Sequence, residues 1–260
     1  MKKFLLGTVA LIAMGTAASA ADLGARPVYT KAPPVPVMSW TGFYLGGGGG
    51  FGVLRNQTNT VSGVPSTANS ISQWGAGDVD FFGTVSGGYD WQLNPSWVVG
   101  VFGDAQFGNI KTDLPASVYG ALAPGVKNDV SYAAGVRVGY LIAPNVLTYV
   151  NGGYSHGDFK SASIVSAATG GPAVALGAAT NSFSRDGWFI GTGVEHTLNF
   201  LGFNAPGWFV KSEYRYAEYG RSIIGTNVGG ADLTPTIGFN SKLAEHTAST
   251  QLVYKFNWGR

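Results

Sequence analysis

The side chains best equipped for chemistry recur at every second position. Lys211, Glu213 and Arg215 interleave with Val210, Ser212, Tyr214 and Tyr216. Asp90, Asp104, Arg137, Glu195 and Lys255 stand in similar alternating tracts. Four acids (Asp90, Asp104, Glu195, Glu213) thus match four bases (Arg137, Lys211, Arg215, Lys255). Period-two spacing puts them all on one face of extended chain. A selective filter more often carries a ring of one sign; a balanced set predicts ion pairs bridging neighbouring segments. The histidines offer less. His156 has Ser155 and Asp158 nearby, but neighbours in a strand point to opposite faces, so Ser155 and His156 should not meet. His246 follows Glu245, with Ser241 and Ser249 its nearest serines in sequence, and His196 maps near the periplasmic end, the wrong leaflet for lipid chemistry. No hydrolytic triad or metal-ligand spacing emerges. Gly47 to Gly52 matches the G-x-G-x-x-G pattern, yet no helix or βαβ unit follows it. Cysteine is absent, so thiol catalysis and zinc ribbons are excluded. The expectation is no catalytic residue, no cofactor and no metal.

These faces need elements to hold them. Eight alternating segments are read: Phe43–Leu54, Phe81–Leu93, Trp97–Asn109, Asp129–Leu141, Val146–Asp158, Gly187–Thr197, Trp208–Tyr219 and Glu245–Trp258. Each is long enough to cross a bilayer as a tilted strand, which takes about 9–11 residues. In each the apolar face opposes the charged or glycine-rich one. Val130, Tyr132, Ala134, Val136, Val138 and Tyr140, for example, oppose Ser131, Gly135, Arg137 and Gly139. Short turns at 94–96, 143–145 and 203–207 alternate with long excursions at 55–80, 110–128, 159–186 and 220–244. This predicts an all-β fold: a transmembrane, eight-stranded, antiparallel up-and-down β-barrel, with short periplasmic turns and long outer loops. Charged groups cost about 2–4 kcal/mol on the lipid face at mid-bilayer, so the eight ionisable residues go inside. Eight strands enclose a space that side chains fill, so the lumen should be plugged or very narrow.

Composition agrees. Charged residues make up 12% of the 260 residues, hydrophobic ones 45% and aromatic ones 13%. That is too apolar for disorder, and a net charge of +2 is too balanced for a nucleic-acid groove. Lys2 and Lys3, the apolar run 4–14 and a small-residue site at Ala18 and Ala20 read as a signal peptide over 1–20. Losing Lys2 and Lys3 from the 16 basic residues balances them against the 14 acidic ones. Residues 21–39 hold Pro27, Pro33, Pro34 and Pro36 and read as a periplasmic tether; contact with a periplasmic partner is the alternative. Residues 40–260 form the barrel. Trp40, Trp91, Trp97, Trp208 and Trp258 map to the turn end and Trp188 to the loop end, the pattern of an interfacial girdle. Both chain termini are expected in the periplasm of a Gram-negative cell. Tyr254, Phe256 and Trp258 look like the terminal signal read by the outer-membrane assembly machinery, with Gly259 and Arg260 extending past it.

Three stretches carry a resemblance. They are Ala21-Asp22-Leu23 with the Pro-rich tract and Trp40-Thr41-Gly42-Phe43-Tyr44-Leu45-Gly46, then the run 207–216, then Tyr254-Lys255-Phe256. Together they resemble the small porin-like outer-membrane surface proteins of rhizobia, Bradyrhizobium and Brucella. The resemblance implies a barrel like the transmembrane part of outer-membrane protein A, with envelope-integrity and surface-antigen roles. Expected partners are outer-membrane lipids, lipopolysaccharide and the assembly machinery, not nucleic acid. The primary functional expectation is a structural, surface-exposed barrel. A small-solute diffusion channel is the alternative, and an outer-membrane lipid-modifying enzyme the third.

Overall fold

The computed structural model describes residues 39–62, 73–76, 79–113, 123–161, 163–166, 174–198, 202, 205–228, 231–232 and 238–256. The signal-peptide and tether expectations, with Ala18 and Ala20, lie outside the described residues, as does Trp258.

Twelve strands follow one another: β1 (Gly42–Ser62), β2 (Gln73–Ala76), β3 (Asp80–Gln92), β4 (Trp97–Asp113), β5 (Ala123–Ala143), β6 (Val146–Lys160), β7 (Ser163–Ser166), β8 (Val174–Thr180), β9 (Phe183–Thr197), β10 (Trp208–Val228), β11 (Ala231–Asp232) and β12 (Gly238–Lys255). The eight long ones pair in the order β12-β1-β3-β4-β5-β6-β9-β10, and β10 pairs back onto β12. All these pairings are antiparallel. The sheet therefore closes into an eight-stranded barrel, the one arrangement that leaves no sheet edge unpaired in lipid.

Burial follows the alternation. Phe43, Leu45, Phe51, Phe81, Val85, Val101, Phe107, Val136, Val150, Ile190 and Leu252 lie exposed in an outward apolar belt. The belt ends toward the loops at a row of aromatics that includes Phe107, Tyr132, Tyr154 and Trp188. Beyond that row the strands continue, and their polarity inverts. Leu54, Ile110, Val126, Phe159, Ile224 and Leu243 are buried inside, while Arg55, Lys111, Lys160 and Lys242 stand on the outward parity of their strands; in β5 and β10 a bulge first shifts the phase, between Asn128 and Val130 and between Tyr219 and Ser222. The medium outside changes from lipid to water there, so the same two-residue period carries the opposite pattern.

This revises the four long excursions. Much of 55–80, 110–128, 159–186 and 220–244 is strand: β1, β4, β5, β9, β10 and β12 all run past the belt. Strands β6 and β9 stop at Lys160 and Phe183, and the β7–β8 hairpin takes their place, with β7 on β5 and β8 on β10. The wall thus has a lower tier of eight strands and an upper continuation in which β7 and β8 replace β6 and β9. Trp74, expected in a loop, lies on β2 opposite Gln57.

Trp40 also departs from expectation. It is wholly buried rather than part of the girdle. It precedes β1, so strand alternation does not govern it. Gly42, at φ 150°, turns the chain across the barrel mouth, a backbone that side-chain-bearing residues avoid. Gln92 pins the crossing: its side chain accepts from the Trp40 N–H at 3.0 Å, and its own N–H donates to Thr41 Oγ1 at 2.9 Å.

Candidate functional site

The site is the lumen, filled from the turn end upward. Trp40 closes the mouth, its ring 5.0 Å from that of Phe209. Above it lies a ring of four charges. Arg137 on β5 donates through Nε to Asp90 Oδ1 at 2.8 Å and through Nη2 to Asp90 Oδ2. Its Nη1 reaches Glu195 Oε2 at 2.9 Å. Lys255 Nζ completes the circuit, 2.6 Å from Asp90 Oδ2 and 3.1 Å from Glu195 Oε1. Each acid touches both bases and each base both acids, across strands β3, β5, β9 and β12. All four side chains are essentially buried. The aromatic faces of the wall add to their stabilisation. Arg137 stands 4.7 Å from the Tyr44 ring, and Lys255 4.8 Å from Trp40.

A second cluster sits one layer higher. Arg215 grips Asp104 with both terminal nitrogens at 2.9 and 2.7 Å, the planar fork a guanidinium offers a carboxylate. It also bonds Glu213 at 2.8 and 3.0 Å. Tyr149 Oη and Asn151 Nδ2 each donate to the other Glu213 oxygen at 2.9 Å. Lys211, expected in an ion pair, makes none directly among the described residues. It donates to Ser86 Oγ at 3.4 Å, and Ser86 donates to Gln251 at 2.6 Å. Its neighbours Glu195 and Glu213 pair with Arg137, Lys255 and Arg215 instead.

Higher still, Glu245 accepts from Asn128 Nδ2 at 2.8 Å and from Tyr219 Oη at 3.4 Å. Arg185 is held by the main-chain carbonyls of Ser241 at 2.7 Å, Ser222 at 3.0 Å and Gly220 at 3.3 Å. Its guanidinium lies 4.7 Å over Phe183, which stacks on Phe159. Apolar packing thus seals the loop end. Two voids between the second cluster and this seal are about 10 Å³ each, about one water's worth. Glu245 and Arg185 are lumenal residues that sequence reading passed over. Glu245 shares the odd parity of Gln251 and Lys255, a usable signal; Arg185 fell within a stretch read as loop. Tyr44 and Tyr149 were legible by the same parity.

The remaining assigned residues face outward. Trp91, Trp97, Trp188 and Trp208 are exposed on the barrel wall. Tyr254 packs between Trp208 and Phe256 at 5.1 and 5.2 Å, lipid-facing at the turn end. Ser155 points inward to Tyr219 Oη at 3.3 Å, while His156 points outward to Asp186 at 2.8 Å and Asp158 at 3.5 Å. That outward cluster stands just beyond the belt. The Asp186 carboxylate, accepting a hydrogen bond from the imidazole, raises the His156 pKa, and Tyr154 and His156 together lower that of Asp186. His246 meets Tyr214 Oη at 2.7 Å, and His196 contacts the Thr197 carbonyl at 3.2 Å. Neither His156 nor His246 hydrogen-bonds a serine. Gly47 to Gly52 runs mid-strand in β1.

A closed eight-stranded barrel with an apolar belt and a charged interior is an outer-membrane architecture. The family model for the outer membrane protein beta-barrel domain matches residues 7–256. The chain belongs to that family. The 31 kDa outer-membrane immunogenic protein of Brucella melitensis is 30% identical, covering 98% of this chain and all of the relative. Its counterpart in Brucella suis matches over the same span at the same identity. Among solved structures, the outer membrane protein OprG from Pseudomonas aeruginosa superposes with a TM-score of 0.53 at 13% identity. It covers 85% of this chain and 99% of OprG. The likeness to OprG is one of fold. As a member of the outer membrane protein beta-barrel family, the chain lies in the outer membrane of a Gram-negative cell.

Proposed function

We propose that this barrel is a non-conducting structural and surface-exposed protein of the outer membrane, with no catalytic role. The observation that carries this is the closed circuit of Asp90, Arg137, Glu195 and Lys255, seated on Trp40. Opening a path there means parting four charges that have no other partners of equal quality, in a place where bare charge is expensive. The apolar seal at the loop end stands as a second barrier. The strength of the envelope comes from the barrel itself; the upper tier offers the surface that an immune system or another cell meets, in keeping with the immunogenic Brucella relatives.

The same reading sets the turn end, and both chain termini, in the periplasm. The Pro-rich stretch is then a periplasmic tether, available to a partner there. Lipid and lipopolysaccharide surround the belt, and the assembly machinery reads Tyr254 and Phe256.

Planar-bilayer recording of the refolded protein tests the central point. Baseline current is expected, and liposomes should not swell in small sugars. Large, stable openings or sugar-driven swelling would make it a diffusion channel. Orientation has its own test, because the chain contains no cysteine. On intact cells an impermeant maleimide should label Lys160→Cys and miss Asn94→Cys; the reverse pattern inverts the barrel.

A further inference from the structure

The outer wall at β10, β12 and β1 carries a feature that the closed lumen does not use. Strand register arranges its outward residues in rows. Ser212, Thr250 and Gly49 form one row; Tyr214, Ala248 and Phe51 the next; then Tyr216, His246 and Val53; then Glu218, Ala244 and Arg55. The first two rows are dominated by small side chains. Together with Phe81 they leave a groove of about 540 Å³ in the lipid-facing wall. Its floor is already satisfied, since the Ser212 and Thr250 hydroxyls bond each other at 3.2 Å. The groove asks for apolar contact and nothing more.

Charge begins two rows above. Glu218 accepts from Lys242 at 2.9 Å and from Tyr216 Oη at 2.8 Å, so its charge is matched. The Arg55 side chain is exposed and makes no hydrogen bond or ion pair among the described residues. Lys242 pairs with Gln57, two positions along β1 from Arg55, so the two cations are diagonal neighbours about 7–8 Å apart at the backbone. The patch keeps a positive excess directly above an acyl-sized groove. A groove of about 580 Å³ near the turn end, lined by Phe43, Leu45, Tyr89 and Val101, has no charged lining residue. The upper groove is lined by no cation either, but Arg55 stands two rows above Phe51 at its edge.

We infer that this face binds a phosphorylated glycolipid of the outer leaflet, lipopolysaccharide, with one acyl chain in the groove and a phosphate on Arg55 and Lys242. Arginine forms two parallel bonds to a phosphate, and the Arg55 side chain has no ion pair among the described residues. The choice of lipid rests on the orientation proposed above, which sets this end in the outer leaflet. A second copy of the chain fits less well. A two-fold interface presents the same patch from both sides, and Arg55 would meet Arg55.

The full chain, refolded in detergent, is tested by native mass spectrometry with rough lipopolysaccharide, its dephosphorylated form and phosphatidylglycerol. One lipopolysaccharide should stay bound per barrel. Arg55→Gln, which breaks no side-chain hydrogen bond or ion pair among the described residues, and the double variant Arg55→Gln/Lys242→Gln should each weaken retention, the double by about tenfold or more. Ala248→Leu, which fills the groove, should also reduce it. Heat-modifiable gel mobility reports that each variant folds. Equal retention by the double variant, by dephosphorylated lipid or by phosphatidylglycerol overturns the proposal, as does a dimer that Ala248→Leu abolishes. Binding in detergent does not depend on orientation, so a reversed maleimide pattern would change the leaflet without touching this result.

Discussion

Asp90 and Arg137 are 47 residues apart in the chain, yet Arg137 Nε lies 2.8 Å from Asp90 Oδ1 across the width of an intervening strand. Gly100 on β4 stands between them, in register with both. Its missing side chain is what lets the pair meet. Arg137 also serves Glu195, so its removal leaves two buried acids to Lys255 alone. Breaking such a buried network costs about 3–5 kcal/mol. Arg137→Met should lower the unfolding free energy by that amount in urea titrations of the refolded barrel. An unchanged midpoint would mean the circuit contributes no stability.

Gly100 supplies a sharper test. A Cβ there would strike Asp90 Oδ1 and come within 3.3 Å of Arg137 Cγ. Gly100→Ala should therefore destabilise by about 1–3 kcal/mol, the usual cost of overpacking. Gly47 has its nearest obstacle at 3.9 Å, on the lipid side. Gly47→Ala should be neutral or slightly stabilising in the same assay. Equal effects at the two sites would show that the space beside the ion pair is not limiting.

Trp40 and Trp208 should respond differently to the same truncation. Trp40 is fully buried against Phe209 and below Lys255, whereas Trp208 is 38% exposed on the wall. Trp40→Ala should cost about 3–5 kcal/mol, as for a buried large aromatic. Trp208→Ala should cost clearly less. If chemical denaturation ranks them the other way, the turn-end plug is not a structural element.

The outward His156 gives a pH signature beyond the belt. Asp186 raises its pKa above the ordinary value, near 6.5. A raised folded pKa means the stabilisation is complete below the unfolded value and disappears as pH climbs through the folded one. His156 is partly exposed, so the effect on stability is small. NMR titration of the imidazole reads it directly. Asp186→Asn should shift the His156 midpoint downward; a midpoint that stays put would assign the shift to Asp158 alone.

Much of this was legible in the chain. Alternation at Lys211, Glu213 and Arg215 put charge on one face and Tyr214 and Tyr216 on the other, and no soluble core would want that arrangement. The upper tier was hidden for a physical reason. Around Lys242 and Leu243 the period persists but the polarity flips, and around Lys127, Asn128 and Asp129 a β-bulge shifts the phase instead. A search for apolar-out strands reads that inversion as loop. Trp40 was misplaced because an aromatic beside a strand start looks alike whether it lies on the wall or crosses the mouth.

The sequence by itself determined the strand period, the inward parity of the ionisable residues and the closed antiparallel sheet. Those follow from local alternation and from the cost of bare charge and unpaired backbone in lipid. Only the tertiary structure decided which acid meets which base, that Lys211 bonds Ser86 instead, and that Arg55 stands two rows above an apolar groove. Such pairings depend on the register and tilt of strands distant in the chain, and alternation along any one strand carries no information about them.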